Sequence, residues 1–209
     1  MSRGSAGTGQ SGGKPRFFFV RHGETDWNRT GRLQGLHDIP LNARGRDQAL
    51  ATGRTLARLV SRRGLEVTGL DFVASPLGRT RTTMELLRQA IGLPTLMYRT
   101  ELVLREISFG RWEGSTWPEI KLADPQGFAE RKRDKWIYVP PDGESYADLV
   151  GRLAPWLETL RDDAVVVSHG GVARAMLTLL AGVETAVAPA VEIHQGRVLA
   201  FRDGRATWH

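Results

Sequence analysis

Two stretches of this chain place an imidazole directly after an apolar run. In the first, Phe17-Phe18-Phe19-Val20 leads into Arg21-His22-Gly23-Glu24-Thr25-Asp26-Trp27-Asn28. In the second, Ala164-Val165-Val166-Val167 leads into Ser168-His169-Gly170-Gly171. A neutral imidazole is a nucleophile near pH 7. Arg21 brings a planar, permanently charged fork that suits phosphate oxygens. Gly23 permits a sharp turn and a close backbone approach to a ligand. Gly170-Gly171 precedes a helical pattern, and a helix N-terminus offers free N–H groups to an anion. These residue types suggest attack of His22 on phosphorus. The plainer alternative is a satisfied core histidine in each place. The repeated strand-end position argues against it.

Such an arrangement needs strands to deliver both histidines to one rim. Uniformly apolar Phe17–Val20 reads as a strand buried on both faces. Residues 28–42 read as a polar loop lining the site. Ala43–Ser61 has helical periodicity at Ala49, Leu50, Leu56, Leu59 and Val60, with Asn42 as N-cap and Gly64 as stop. Leu70–Ser75 is a second strand, Arg79–Ile91 a helix ended by Gly92 and Pro94, and Thr95–Tyr98 a third strand. Residues 101–144, rich in Trp, Pro and charge, read as a cap of short helices. Ser145 caps a helix reaching about Leu160, kinked at Pro155. Ala164–Val167 is again a strand, and Val172–Leu180 a helix. Val191–His194 and Val198–Arg202 read as the last strands, joined at Gln195-Gly196, with a short tail after Gly204. The alternation predicts a three-layer α/β/α sandwich: a mostly parallel central sheet, helices on both faces, and the cap at about 101–144. In such sheets ligands bind beyond the carboxyl ends of the strands.

Composition narrows the function classes. The 209 residues suit one domain over 15–209, with 1–14 as a Gly- and Ser-rich disordered leader lacking a signal-like apolar core. No apolar run approaches a membrane-helix length. The absence of cysteine excludes disulfides, thiolate metal sites and a Cys nucleophile. Together these favour the cytoplasm and no membrane partner. The net charge of +6 is carried almost wholly by arginine, which would draw in anionic substrates. No basic run is long enough for a nucleic-acid groove, since Arg131-Lys132-Arg133 is broken by Asp134. No His/Asp/Glu spacing argues for a metal or other cofactor. Edge strands offer a surface for a homodimer.

The sequence resembles the histidine phosphatase superfamily, the branch of the cofactor-dependent phosphoglycerate mutases and their phosphatase relatives. The likeness begins at Arg21-His22-Gly23-Glu24 and runs through Arg32-Leu33-Gln34-Gly35 and Asp38-Ile39-Pro40-Leu41. It returns at Ser75-Pro76-Leu77-Gly78-Arg79, at Leu104-Arg105-Glu106 with Gly110-Arg111-Trp112-Glu113-Gly114, at Gly143-Glu144-Ser145, and at Ser168-His169-Gly170-Gly171. The resemblance implies that His22 becomes phosphohistidine and that His169 donates to the transferring phosphoryl group. It implies Arg21 and Arg79 as phosphate clamps, with Asn28, Gln34, Gly35 and Gly170 as further phosphate or substrate contacts. Glu106, lying before Phe109-Gly110-Arg111-Trp112-Glu113-Gly114, matches the general acid, with Glu24 and Glu113 as competitors. His37 in the loop could touch substrate, and His194 reads as structural.

Glu106 is followed by Ile107-Ser108-Phe109, where mutases carry Arg and Tyr, and the insertion is short for a mutase. The expected activity is therefore hydrolysis of a small phosphorylated metabolite without a metal ion. A phosphoglycerate mutase and a non-catalytic phospho-ligand binder are the alternatives. The aromatics Phe109, Trp112, Trp117, Trp136 and Tyr138 either wall the pocket or pack the cap.

Overall fold

The computed structural model describes residues 17–209, so the expected leader over 1–14 lies outside the described residues. Strands β1 (Phe17–Arg21), β2 (Asp71–Ala74), β3 (Arg99–Thr100), β4 (Ala164–Ser168), β5 (Val198–Arg202) and β6 (Arg205–Trp208) form a six-stranded sheet ordered β3-β2-β4-β1-β5-β6. The first four in that order are parallel, while β5 and β6 add antiparallel at the end. β1 and β4 pair from Phe17↔Ala164 to Arg21↔Ser168. Because the register ends there, His22 and His169 leave the sheet side by side.

Alternation along β1 explains why its run is apolar throughout. Phe18 and Val20 pack beneath α2 (Ala43–Arg62) and α3 (Gly78–Ala90), with Leu56, Val60, Met84 and Leu87. Phe17 and Phe19 pack on the other face beneath α6 (Tyr146–Leu157) and α7 (Gly170–Ala181), with Leu149, Leu153 and Met176. Both faces are buried, as a parallel sheet requires. Local caps set the helix starts. Asn42 accepts from Gly45 N, and Ser145 forms a reciprocal capping box with Asp148. The one-turn α1 (Asp26–Arg29) follows the turn at His22, and α4 (Trp117–Ala123) and α5 (Pro125–Arg133) build the cap. Among the described residues no helix is long and apolar enough to cross a membrane.

Several boundaries differ from expectation. Thr95–Tyr98 is not a strand: residues 94–97 form a turn closed by Met97 N on Pro94 O at 3.4 Å, and the edge strand begins only at Arg99. Val191–His194 is not a strand, because β5 already occupies the edge of β1 and the segment's carbonyls serve arginine side chains instead. The presumed tail is β6. Asp203 and Gly204, both with left-handed φ (49° and 73°), make the tight hairpin turn that Asp-Gly favours. α6 carries Pro155 inside it and stops at Leu157, short of the expected Leu160. α7 begins at Gly170, with His169 as its N-cap residue.

Candidate active site

The turn after β1 is tied down at each backbone N–H from His22 to Thr25. His22 N donates to Ser168 O at 2.9 Å, and Gly23 N to Thr83 Oγ1 at 3.0 Å. Glu24 N donates to Gln48 Oε1 at 2.8 Å, and Thr25 N to Asn28 Oδ1 at 3.2 Å. Gly23 serves α2 rather than a ligand. A Cβ there would stand 2.2 Å from Gly45 O, and one at Gly45 would stand 2.1 Å from Glu24 O. The two glycines let helix backbone press directly on the turn.

His22 is buried, and its Nδ1 lies 2.8 Å from Gly23 O. A carbonyl only accepts, so Nδ1 carries the proton and Nε2 keeps its lone pair. Burial first, then Arg79 and Arg21, holds the His22 pKa well below the ordinary 6.5. The ring is therefore neutral at pH 7, the form a nucleophile needs. His169, fully buried, is shifted down by burial, Arg79, His22 and Arg21 in that order. Its Nε2 meets Ser75 Oγ at 2.7 Å, while its Nδ1 has no protein partner.

Arg79 is anchored by Nη1 on His37 O at 2.5 Å and Nη2 on Gly35 O at 2.8 Å. Arg21 is anchored by Nη1 on Ile193 O at 2.8 Å. Burial lowers both guanidinium pKa values, that of Arg21 to about 10, and Glu106 acts in the opposite direction on each. Both remain cationic at neutral pH. The Nε atoms of Arg21 and Arg79, like His169 Nδ1, are buried without a protein partner. Buried donors of this kind need an acceptor, and an anion would satisfy them together. A cation in the first turn of a helix opposes the helix dipole, and at Arg79 this is offset by Asp38, whose carboxylate accepts from Gly78 N at 2.7 Å and Arg79 N at 3.3 Å.

Glu106 lies on the opposite wall. Its Oε1 accepts from Ile107 N and Gly171 N, each at 3.0 Å. A Cβ at Gly171 would stand 2.5 Å from that oxygen, so glycine is what lets the carboxyl dock on α7. Arg152 of α6 holds the backbone leading to it, donating to Glu106 O at 3.2 Å, Arg105 O at 2.8 Å and Val103 O. Neither competitor shares this place. Glu24 is held by Asn42 Nδ2 at 3.0 Å and does not line the cavity. Glu113 instead joins loop to cap: it accepts from Leu36 N, Ser108 Oγ and Phe109 N, and meets His37 Nδ1 at 2.8 Å.

The resulting cavity, about 130 Å³, is lined by Arg21, His22, Asn28, Gln34, Gly35, Arg79, Glu106 and Gly170 among others. All the site residues expected from sequence thus converge, with His169 packed against His22 at 5.3 Å between ring centroids. His37 turns its ring to Glu113 and Trp27, away from the expected substrate contact. Of the five aromatics only Phe109 lines the cavity. Trp112 stacks on Tyr138 and meets Trp117, and Trp136 stacks on Tyr146, so these four pack the cap. Tyr146 and Arg174 also line the cavity and went unnoticed in the sequence. Arg174, the only charged residue of α7, carried a signal legible there. Arg152 and Gln195 carried none, and the bracing roles of Ser75 and Glu113 were equally hidden, because all four depend on neighbours distant in sequence. Among the described residues no three His, Asp or Glu side chains are grouped to hold a metal ion.

Geometry and charge together define an oxyanion pocket at the strand ends of an α/β sandwich. The chain belongs to the histidine phosphatase superfamily (branch 1), whose family model matches residues 17–209. Bovine 6-phosphofructo-2-kinase/fructose-2,6-bisphosphatase 1 is 38% identical over 166 residues, 78% of this chain and 32% of that protein. The chain therefore spans about a third of the length of the curated relatives it matches. Among solved structures, mycobacterial glucosyl-3-phosphoglycerate phosphatase superposes with a TM-score of 0.74 at 28% identity, covering 89% of each chain. YhfR of Bacillus stearothermophilus does so at 0.76 and 27%, covering 93% of this chain and 94% of that one. These similarities support a phosphatase.

Proposed function

We propose that the chain hydrolyses a small phosphomonoester through a phosphohistidine on His22, with no metal ion required. One observation carries this reading. A neutral imidazole with Nδ1 fixed and Nε2 free stands among three buried donors, Arg21 Nε, Arg79 Nε and His169 Nδ1. The His22 Nε2 lone pair attacks phosphorus, and the bond to the ester oxygen breaks. Glu106, in its protonated form, gives that oxygen its proton. Water then attacks phosphorus, the N–P bond breaks, and the water's proton passes to Glu106. The two guanidiniums and His169 carry the charge spread over the equatorial oxygens, the dominant demand of a loose phosphoryl transition state.

Arg174 extends the cationic wall. A Cβ at Gly170 would stand 3.5 Å from its Nη1 and 3.6 Å from Arg21 Nε, so two guanidiniums converge there. That supports a substrate carrying a second acidic group, and the bovine relative's name speaks of a bisphosphate. The test is phosphate release from 4-nitrophenyl phosphate in EDTA, for the parent and His22→Ala. EDTA-resistant turnover that vanishes in the variant is the expected result. A parent without turnover, or a variant that keeps it, overturns the reading.

A further inference from the structure

Alternate residues of the segment 191–195 hydrogen-bond to residues that line the pocket. Val191 O accepts from Arg174 Nε at 2.9 Å, and Ile193 O from Arg21 Nη1 at 2.8 Å. Gln195 contributes its side chain: Nε2 lies 3.0 Å from His22 O and 3.0 Å from Asn28 Oδ1. The hydrogen-bond network fixes which amide atom is which. Thr25 N–H needs an acceptor, so the Asn28 atom facing it at 3.2 Å is oxygen. His22 O and Asn28 Oδ1 both need a donor, so the Gln195 atom between them is nitrogen. Asn28 Oδ1 is then engaged by Thr25 N, Thr25 Oγ1 at 3.2 Å and Gln195 Nε2. Those contacts leave Nδ2 as the polar end of Asn28 available to the cavity that it lines.

We infer that Gln195 is a positioning residue: it holds the Asn28 amide with its donor toward the bound phosphoryl oxygens and steadies the carbonyl of the nucleophilic His22. The inference rests on the proposed phosphoryl site. Nothing nearby in sequence marks Gln195, which lies 167 residues from Asn28.

Gln195→Glu is nearly isosteric but presents an acceptor where two acceptors already stand. Relief comes from turning the Asn28 amide over, which aims its oxygen at the anion. Gln195→Ala only removes the restraint. On 4-nitrophenyl phosphate at pH 7.5, kcat/KM is expected to fall about tenfold in Gln195→Ala and ~100-fold in Gln195→Glu, the cost of losing one oxyanion donor. Thermal midpoints of the two variants should be alike. The ratio of Gln195→Glu to parent activity should rise as pH falls, since the introduced carboxyl becomes a donor once protonated. Equal losses in both variants with a flat pH ratio, or unchanged kinetics, would overturn the inference. Orthovanadate affinity by calorimetry separates this outcome from failure of the hydrolase reading. If the parent binds vanadate but releases no phosphate, Gln195 is judged on that affinity, with Gln195→Glu again expected to lose more than Gln195→Ala. A parent that binds no vanadate overturns both.

Discussion

His22 and His169, with ring centroids 5.3 Å apart and planes at 61°, present opposite faces of imidazole chemistry. His22 spends its Nδ1–H on Gly23 O and keeps a lone pair. Ser75 Oγ accepts from Leu77 N at 3.4 Å and lies 2.7 Å from His169 Nε2, to which we propose that it donates its own proton. The proton of a neutral His169 then lies on Nδ1, the atom without a protein partner. In the proposed mechanism, two like residues at like strand ends serve as nucleophile and donor because their second nitrogens meet an acceptor and a donor respectively.

Ser75→Ala removes the group that fixes the His169 tautomer. We expect kcat/KM on an aryl phosphate to fall on the order of tenfold, the worth of one hydrogen bond of about 1.4 kcal/mol. Steady-state kinetics check this, and undiminished activity would show that Ser75 does not govern the ring.

Burial keeps both histidines neutral in the folded state, with pKa values well below 6.5. The unfolded chain takes up these protons near pH 6.5 while the folded chain does not. Stability is thus lost as pH falls below about 6.5. The thermal midpoint of the parent should drop more steeply between pH 7 and 5 than that of His22→Gln. One proton corresponds to at most about 1.4 kcal/mol per pH unit. Parallel curves would contradict a neutral, buried His22.

Glu106→Ala should slow alkyl phosphates by ~100-fold or more and aryl phosphates far less, since phenolate leaves without a proton. Matching the two ester classes in one assay series decides it. Equal losses would remove Glu106 from the acid role and point to its dock on Gly171 as purely structural.

Gly45→Ala places a methyl group 2.1 Å from Glu24 O, backbone that cannot move without dragging the turn that carries His22. A loss of roughly 1–3 kcal/mol in urea unfolding is expected, together with reduced turnover. A variant of parental stability and activity would show that α2 does not seat the turn.

Much of this protein was legible in one dimension. Uniformly apolar Phe17–Val20 and Ala164–Val167 announced strands buried on both faces, and the residues just after them announced the pocket. That follows from local causes, since burial and turn chemistry act through neighbours in sequence. Asn42 and Ser145 were readable caps for the same reason. The bracing of the pocket was not readable. Val191–His194 reads as a strand, but β5 pairs with β1 in the sheet and the alternate carbonyls of the segment go to Arg174 and Arg21. Glu113 looked like an acid and proved a tie between loop and cap. The aromatics of the cap had two open readings until their stacking showed that four of the five face one another or Tyr146. Sequence determined which residues would stand at the strand ends. Only the tertiary structure decided which nitrogen each imidazole offers, because that choice belongs to partners such as Ser75, 94 residues from His169, brought near by the register of the sheet.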